Sequence, residues 1–415
     1  MRILYVTLLW PGFRECLFDG ELEPNGLPSF NKPLMKLIEK GHKVDFVILN
    51  SAYNPENRKT NIQAGWLKKS YIWEIVPTDL RPHKKILTYI RLIIAVKRAI
   101  SLDKYDFIYA HGSTTAVVRP LAKMYKIPFG QRLYGTFLWS KMQQWGKLYV
   151  SIRHITEYRS FITPKSFLLV TNDGSRGDLV YKEIWRKKVS PFEFCYWING
   201  VDPASDITDE MIREFSQGLV EKPFIFYVGR FDSWKRQDRA IRIIAELKKR
   251  GLDIHLYLAG PQNTVGIQYF DTVMDLVREL AVEDRVTYMG NVDAKTINIM
   301  CKLSLASLSL YDVCNLTNVF HEMLAAGAVV IVQKDGTTDG YIEHGVNGFF
   351  VTSDAEAVNI IERIINNPKA TDGIRKHARM TSLNKMKTWD QRSEDEIRLI
   401  EKYVKVEELQ DGKKT

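Results

Sequence analysis

The sequence predicts an α/β protein with two doubly wound domains, each a parallel sheet with helices on both faces. Short, continuously apolar runs alternate with longer amphipathic stretches, and this series occurs twice along the chain. The 415 residues, 45% of them hydrophobic, are enough for two sizeable cores. Continuous apolar strands separated by helices indicate sheets that are covered on both sides.

The first series begins with a strand over residues 3–9. This apolar start could also be a short signal peptide, but Trp10-Pro11-Gly12 ends the run early and no small-residue cleavage site follows. A buried strand therefore fits better. A helix over 30–40 carries its apolar residues on one face. Further strands are predicted over 44–49, 107–110, 129–133 and 167–171.

The second series places strands over 224–228, 254–259, 286–289, 303–308 and 329–332, with helices over 236–249, 268–281 and 318–326. The connection between the two series lies at 198–203, followed by an acidic stretch up to 223. We therefore place a first domain over 1–198 and a second over 199–389. A polar helix at about 390–404 has no strand after it and is a candidate to pack back on the first domain.

The composition excludes several classes of protein. With 26% charged residues and ordinary glycine and proline contents, the chain is neither disordered nor collagen-like. Its four cysteines are too few and too scattered for a disulfide scaffold or a zinc ribbon, which favours a reduced, cytoplasmic setting. No stretch reaches the roughly 18 uninterrupted apolar residues of a membrane-spanning helix.

Charge is divided unevenly along the chain, whose formal net charge is +10. Residues 1–200 hold 31 basic and 16 acidic side chains, a net of +15, and the remainder has a net of −5. Most of the excess lies in residues 58–159, which hold 19 basic and five acidic side chains. An imbalance of this size indicates that the first half meets an anionic partner.

Two stretches of this basic region, at about 83–98 and 139–159, combine cations with apolar or aromatic side chains. Such stretches suit a helix lying on an anionic membrane surface. The alternative for the first stretch is a core-facing helix with a solvated basic side. Because no nucleic-acid-binding motif accompanies the charge, a membrane and a lipid-linked acceptor rank above nucleic acid as partners.

Strand-to-helix loops are the places to look for a site, because ligands of open parallel sheets bind beyond the carboxyl ends of the strands. After the strand over 224–228, Gly229 allows a ligand to approach closely, and Arg230 and Lys235 project two cations near the next helix. Two cations there suit a diphosphate and could neutralise charge on a departing phosphate. The alternative is a glycine turn with two solvated cations.

A second loop, over 308–319, follows a buried strand and runs into a helix that carries Glu322. Backbone N–H groups at a helix N-terminus can bind a phosphate or a sugar. Glu322, about one turn inside the helix, can accept hydrogen bonds from a ribose diol; alternatively, its charge complements the helix dipole. The donor-binding candidates in this loop are Asp312, Asn315, Thr317, Asn318 and Val319.

Several spaced motifs occur in order between about 224 and 353: GRFDSWK (229–235), LAGP (258–261), VTYMG (286–290), NVFHEMLAAG (318–327) and GVNGFFV (345–351). This series resembles the donor-binding half of the two-Rossmann (GT-B) glycosyltransferases, most closely the retaining family 4 type, among the glycosyl transferases group 1. The first half matches more loosely, through NG (25–26), KGHKV (40–44), DFIYAHG (106–112) and NGVD (199–202). The resemblance implies two Rossmann-like domains that face each other across a cleft.

The resemblance also implies roles for individual residues. Arg230 and Lys235 would hold the donor diphosphate and stabilise the leaving nucleotide, while Glu322 would bind the ribose hydroxyls. Gly26 would let the backbone approach the donor phosphate and the acceptor. His111 would lie beside the transferred sugar in the cleft; without the resemblance it would be interpreted as a satisfied histidine at a strand end. The catalytic candidates are therefore His111, Arg230 and Lys235.

Two departures from the family pattern lie where the sugar would be held. The family usually carries an acidic residue eight positions before the ribose-binding glutamate, but this chain has Cys314 there. Asp312 is the nearest carboxylate, and Asn315 and Thr317 are the alternatives for contacting sugar hydroxyls. The family often has His-Gly after the strand over 129–133, where this chain has Tyr134 followed by glycine.

The expected reaction is transfer of a hexosyl unit from a nucleoside diphosphate sugar to a hydroxyl, with retention at the anomeric carbon. No cofactor is expected besides the donor substrate, and the dispersed histidines and lack of an Asp-x-Asp in a suitable loop predict a metal-independent enzyme. The acceptor is expected to be a growing cell-surface polysaccharide or a lipid-linked glycan. Two alternatives share the fold: a nucleotide-sugar epimerase, and a catalytically degenerate donor-binding partner subunit.

Overall fold

The fold is taken from a computed structural model that describes residues 1–10, 13–18, 27–50, 72–77, 82–202, 207–262 and 267–411. Contacts divide the chain into two compact units, which we call the first and second domains. The first contains Met1–Asn199 and Trp389–Thr415, and the second contains Gly200–Thr388.

The described strands of the first domain form a seven-stranded parallel sheet in the order β3-β2-β1-β4-β5-β6-β7. Its elements are β1 (Arg2–Leu8), α1 (Phe13–Phe18), α2 (Pro28–Glu39), β2 (Lys43–Asn50), β3 (Ile72–Pro77), α3 (Pro82–Leu102), β4 (Phe107–His111), α4 (Arg119–Met124), β5 (Phe129–Leu133), α5 (Leu138–Arg153), α6 (Ile155–Ser160), β6 (Phe167–Thr171), α7 (Gly177–Trp185) and β7 (Glu193–Trp197).

The second domain contains a six-stranded parallel sheet in the order β10-β9-β8-β11-β12-β13. Its elements are α8 (Asp209–Ser216), β8 (Phe224–Val228), α9 (Gln237–Lys249), β9 (His255–Ala259), α10 (Ile267–Glu279), β10 (Val286–Tyr288), α11 (Ala294–Leu303), β11 (Ala306–Ser309), α12 (Asn318–Ala326), β12 (Val330–Gln333), β13 (Phe349–Val351), α13 (Asp354–Asn366) and α14 (Thr371–Lys385).

Both sheets are doubly wound, which confirms the predicted fold class. Counted within each domain, the second sheet has the strand order 3-2-1-4-5-6, and the first adds one further strand to the same order. The order reverses direction between β1 and β4 in the first sheet and between β8 and β11 in the second. Ligands of such sheets bind at these switch points, at the carboxyl ends of the strands.

Three strands that the sequence patterns did not predict lie at or near the sheet edges: β3, β7 and β13. β13 has only three residues and Glu74 interrupts β3, so neither has the continuous apolar run of a central strand; β7 has such a run over 194–197 but is mostly only partly buried. The strand predicted over 303–308 begins later, at Ala306, because the chain up to Leu303 completes α11. The other predicted strands agree with the structure to within one or two residues.

The last helix, α15 (Trp389–Asp411), packs on the first domain although its sequence follows the second. Ile397 and Ile400 are fully buried in the core under the first sheet. Glu396 is also buried, forms an ion pair with the buried Arg132 of β5, and accepts a hydrogen bond of 2.7 Å from Tyr109 Oη. Within the described ranges, none of the helices combines the length and apolarity needed to span a bilayer.

Candidate donor site and its relatives

The β8–α9 loop lies at the switch point of the second sheet, and its backbone approaches that of the loop after β9 very closely. A Cβ atom added to Gly260, whose φ is +130°, would lie 2.2 Å from the Gly229 carbonyl oxygen. Only glycine fits that position without displacing the backbone. The Gln237 amide donates to the Gly229 and Arg230 carbonyls at 3.2 and 3.1 Å. The first residue of α9 therefore fixes the backbone of the loop that would contact a ligand.

Of the two predicted catalytic cations, Lys235 has the less exposed side chain. Its side chain is buried, and its Nζ lies 3.6 Å from the ring centroid of Tyr311 and 4.1 Å from that of Trp234. Tyr311 is also buried and donates to the Val228 carbonyl at 2.8 Å. The end of β8 and the loop after β11 therefore meet at Lys235, across the switch point.

Arg230 is the second predicted cation, and its environment differs. Its side chain is more than half exposed, and its Nε lies 2.5 Å from the Asp232 carboxylate. An exposed ion pair of this kind contributes little to stability. Arg230 can therefore exchange Asp232 for a more strongly charged diphosphate at small energetic cost.

The β11–α12 loop is organised by Asn315, one of the predicted donor-binding residues. Asn315 is fully buried, and its amide group donates to the Tyr311 carbonyl and to Asp335 while accepting from Ser309 Oγ and from the Tyr311 N–H. All four hydrogen-bonding positions of the side chain are thus used within the protein. The structure places Asn315 as the residue that shapes the loop, and Cys314 beside it adopts a left-handed φ of +58°.

The start of α12 brings together three other predicted residues. Thr317 caps the helix, because its Oγ1 accepts from the Phe320 N–H at 3.3 Å. Asn318 and Val319 follow as the first two helical residues, where the backbone N–H groups point along the helix axis out of its N-terminus. This end of α12 carries partial positive charge and lies beside the loop that contains Tyr311.

Glu322 lies one turn into α12 and is strongly affected by its surroundings. Burial, and then the charge of Asp202, raise the pKa of its carboxyl group to about 7. The negative form of Glu322 in turn raises the pKa of Tyr311, after the larger effect of burial. Glu322, Tyr311 and Lys235 therefore belong to one electrostatically coupled group.

Asp312 lies in the β11–α12 loop directly after Tyr311, but its ion-pair partner is Arg236. Its carboxylate pairs with Arg236 at 2.8 Å and lines an open cavity of about 590 Å³. The remaining lining residues are Arg239, Gln333, Lys334, Asp335, Thr352, Ser353 and Asp354. Asp312, a predicted donor-binding residue, lines this cavity, whereas the predicted catalytic Lys235 and the predicted donor-binding Glu322 do not.

In the first domain, His111 ends β4 at the switch point, as the sequence places it. Its Nδ1 lies 2.7 Å from Tyr134 Oη, while its buried Nε2 has no hydrogen-bond partner among the described residues. Burial, and then the charge of Arg132, lower the pKa of His111 well below its usual value, so the ring is neutral. Gly26, the other predicted site residue of this domain, lies outside the described residues.

Sequence reasoning did not assign roles to Tyr134 and Tyr311, although both contact predicted catalytic residues. Each follows a strand at its carboxyl end, which is the one local signal that could have identified them. Among the described residues, no group of three or more histidine, cysteine, aspartate or glutamate side chains is arranged to hold a metal ion.

Comparisons with known proteins identify glycosyltransferases that are similar to this chain. The model of the family described as "Glycosyl transferases group 1" matches residues 209–381. That span contains Arg230, Lys235 and Glu322. An uncharacterized glycosyltransferase from Methanocaldococcus jannaschii is 24% identical over 332 residues, which cover 76% of this chain and 78% of the relative.

Solved structures with the same fold match almost the whole chain. Sucrose-phosphate synthase from Thermosynechococcus elongatus is similar over 97% of this chain and 99% of its own, with a TM-score of 0.75 and 18% identity. Anabaena HepE in complex with UDP-glucose covers 96% of this chain and 99% of its own, with a TM-score of 0.67 and 17% identity. The family match thus lies in the second domain, and the two-Rossmann (GT-B) fold of these neighbours is shared by both domains of this chain.

Proposed function

We propose that the protein transfers a hexosyl unit from a nucleoside diphosphate sugar to a hydroxyl of a glycan or lipid-linked acceptor. The transfer retains the anomeric configuration, needs no metal ion and serves the synthesis of a cell-surface polysaccharide or glycolipid. The enzyme works in the cytoplasm, peripherally at the inner face of the membrane. Arg230, Lys235 and His111 are its proposed catalytic residues.

The observation that carries this proposal is the position of Lys235. A buried ammonium held against Tyr311 at a switch point is preorganised, so it needs no reorientation when charge develops on a departing diphosphate. Arg230, which is exposed and paired only at the surface with Asp232, can add a second cation. The N-terminus of α12 supplies further partial positive charge for the donor.

The proposed reaction balances without a general acid or a metal. The bond between the anomeric carbon and the diphosphate oxygen breaks, and the acceptor oxygen forms the new bond on the same face of the sugar. The departing phosphate oxygen takes the acceptor proton. A diphosphate is already a good leaving group, so positioning and electrostatic stabilisation supply the catalysis.

The test begins with a thermal-shift panel of nucleotide sugars. UDP-glucose comes first, because the structural neighbour HepE was solved with it. A donor at 100 times its dissociation constant stabilises the folded state by about 2.7 kcal/mol. For that donor, hydrolysis and transfer are then measured in the presence of EDTA, and the anomeric configuration of the product is determined by NMR.

Variants connect the activity with the proposed residues. Lys235→Ala should lower kcat by a factor of about 10² to 10³, as expected for the loss of one preorganised charge. Lys249→Ala, an exposed lysine at the end of α9, is the matched control and should retain full activity. Equal activity of Lys235→Ala and the unchanged protein would contradict the proposal.

The two alternatives give different products. A nucleotide-sugar epimerase would convert the donor into an epimer without needing an acceptor. A degenerate partner subunit would bind a donor in the thermal-shift panel but neither hydrolyse nor transfer it. The departure at Cys314 favours testing this second alternative, because the acidic residue expected there is missing.

A further inference from the structure

We propose that the outer surface of α3 and α5 docks the first domain on an anionic lipid leaflet. This inference rests on the proposed function, which makes the acceptor membrane-associated, and it assigns the contact to a particular surface. We call this surface the basic helix face. On α3 it consists of Ile86, Ile90, Ile94, Arg91, Lys97 and Arg98; on α5 it consists of Lys141, Trp145, Leu148, Ile152 and Arg153.

The two helices cover the same side of the first sheet. Ile3, Tyr109 and Leu169 point into the core that contains α2 and α15. Their neighbours along the strands, such as Leu4 and Leu168, point to the other side, where they pack against α3 and α5 respectively. The outer surfaces of α3 and α5 therefore belong to one layer, opposite the C-terminal helix.

The α3 helix is apolar on two sides, which a helix that only packs on a sheet does not require. Its inner side contributes residues such as Leu92 and Val96 to the core. On its outer side, Ile86, Ile90 and Ile94 are 67%, 47% and 58% exposed. Their spacing of four residues aligns them in one stripe along the helix.

The α5 helix is interrupted at Gly146, whose φ is +78°, and its two segments add a second apolar group. Leu148 and Ile152 are 76% and 70% exposed and again lie four residues apart. Trp145 is also exposed, and Lys141 Nζ lies 4.4 Å from its ring centroid. Tryptophan beside lysine is typical of side chains that sit at the level of lipid headgroups.

Three helices of this layer carry charge of one sign, although Lys147 of α5 pairs with Glu183 of the neighbouring α7. The helices α3, α4 and α5 contain no aspartate or glutamate. In the described part of the chain, Arg91, Lys97 and Arg98 have no carboxylate within ion-pair distance, and all three are exposed.

The opposite layer of the same domain is different, because its surface lysines have partners. Lys36 of α2 pairs with Asp390, and Lys40, at the end of α2, pairs with Glu394. On the side of α3, cations without a carboxylate partner among the described residues therefore accompany the exposed apolar stripes. On the opposite side, Lys36 and Lys40 are paired with carboxylates of α15. An anionic leaflet complements both properties of the basic helix face, since lipid headgroups receive the cations and the acyl boundary receives the apolar side chains.

The test is flotation of the full-length protein with vesicles of phosphatidylcholine alone or with 30% phosphatidylglycerol. We expect binding to the anionic vesicles, at least tenfold weaker binding to the neutral ones, and release at high salt. Equal recovery with both vesicle types, or none with either, would overturn the proposal. So would retention on duplex DNA or on an acidic polypeptide without vesicle binding.

Two variants divide the contributions. Ile86→Ser, Ile90→Ser and Ile94→Ser together remove the α3 stripe, and Arg91→Gln, Lys97→Gln and Arg98→Gln together remove its charge. Each triple variant should weaken vesicle binding at least tenfold while its melting temperature stays close to that of the unchanged protein, because the altered side chains are exposed. Unchanged vesicle binding by both would overturn the proposal.

Matched controls come from exposed residues of the second domain. Met380→Ser with Leu383→Ser controls for lost apolar surface, and Lys249→Gln, Lys295→Gln and Lys376→Gln together control for lost charge. Both should bind vesicles normally. Hydrolysis of a soluble donor should be the same in all variants, so vesicle binding without any donor binding would reject the proposed function and leave the docking surface standing.

Discussion

In the proposed function, the ionisation of Glu322 is linked to donor binding. Its pKa of about 7 lies far above the ordinary glutamate value of 4.5, because burial and Asp202 disfavour the charged form. The folded protein holds the proton that the unfolded chain loses near pH 4.5. The free energy of unfolding therefore decreases as the pH rises from about 4.5 to about 7.

Donor binding should have the opposite pH dependence. A carboxylate accepts hydrogen bonds from a ribose diol better than a protonated carboxyl group does, so we expect UDP-glucose affinity to rise about tenfold between pH 6 and pH 8. UDP-glucose suits this calorimetric test because its diphosphate is a diester and does not titrate in that range. Glu322→Gln should bind more weakly and with little pH dependence. A pH profile that Glu322→Gln leaves unchanged would assign the titration to another group.

Tyr134 stands where related sequences often have a histidine, and its hydroxyl contacts the ring of His111. A neutral imidazole has one donor and one acceptor nitrogen, so the contact between Nδ1 and the tyrosine hydroxyl determines which nitrogen carries the proton. Tyr134→Phe removes the hydroxyl that contacts the buried His111 and should lower the free energy of unfolding by about 1–2 kcal/mol. It should also change the nitrogen NMR shifts of His111 from those of one tautomer to a mixture.

The control for this prediction is Tyr125→Phe, a partly exposed tyrosine of the same domain. It should alter neither stability nor the His111 resonances. If Tyr134→Phe loses stability but keeps the tautomer, the hydroxyl contributes only to packing and not to the state of His111.

Among the elements, α15 depends on a buried ion pair as well as on apolar packing. Glu396 pairs with Arg132, and burial together with the charge of Arg132 lowers the pKa of the neighbouring Arg392 to about 10. Removing one partner of a buried pair leaves an uncompensated charge, which costs far more than the net value of the pair.

Glu396→Gln should therefore lower the free energy of unfolding by about 3 kcal/mol in chemical denaturation. Glu394→Gln, the same change two residues earlier on the surface, should cost less than about 1 kcal/mol. Replacing Arg132 and Glu396 together by methionine should recover most of the loss. Equal costs for the two single variants would mean that α15 is held by its apolar residues alone.

Helices and strands with strong periodicity were the easiest elements to predict. The strand over Phe129–Leu133 and the helix over Asn318–Ala326 have the predicted bounds. The edge strand Glu193–Trp197 was missed; it contains an apolar run over 194–197, but four of its five residues are only partly buried. A continuous apolar run indicates a strand that is buried on both faces of a sheet, and edge strands are less buried.

On the scale of the whole molecule, the chain order and the domain order differ. The first domain is completed by α15, which the chain reaches only after the second domain, whereas Gly200–Thr388 is contiguous. A fragment of residues 200–388 should therefore fold alone and unfold cooperatively. A fragment of residues 1–199 should be unstable, because it lacks Glu396 and the apolar residues of α15, and it should gain stability when a peptide of residues 389–411 is added.

Circular dichroism melts of the three pieces check this prediction. Cooperative melting of 1–199 alone, unchanged by the peptide, would show that α15 is dispensable. The net charge of the chain also differs between its two halves. The candidate donor-site residues Arg230, Lys235 and Glu322 lie in the half of the chain with a net charge of −5, while the excess positive charge lies in the half with +15.

The sequence by itself determined the doubly wound fold class and the approximate bounds of the central strands. It also placed Arg230 and Lys235 in a loop after a strand, Glu322 near the start of a helix and His111 at the end of a strand. These features depend on local periodicity and on residue types at strand ends, which neighbouring positions encode. Only the tertiary structure decided that Lys235 packs on Tyr311 and that Tyr134 contacts His111. It also decided that the side chain of Asn315 makes all of its hydrogen bonds within the protein. Those contacts join residues brought together by packing, and no local pattern specifies which distant side chain will fill the space beside them.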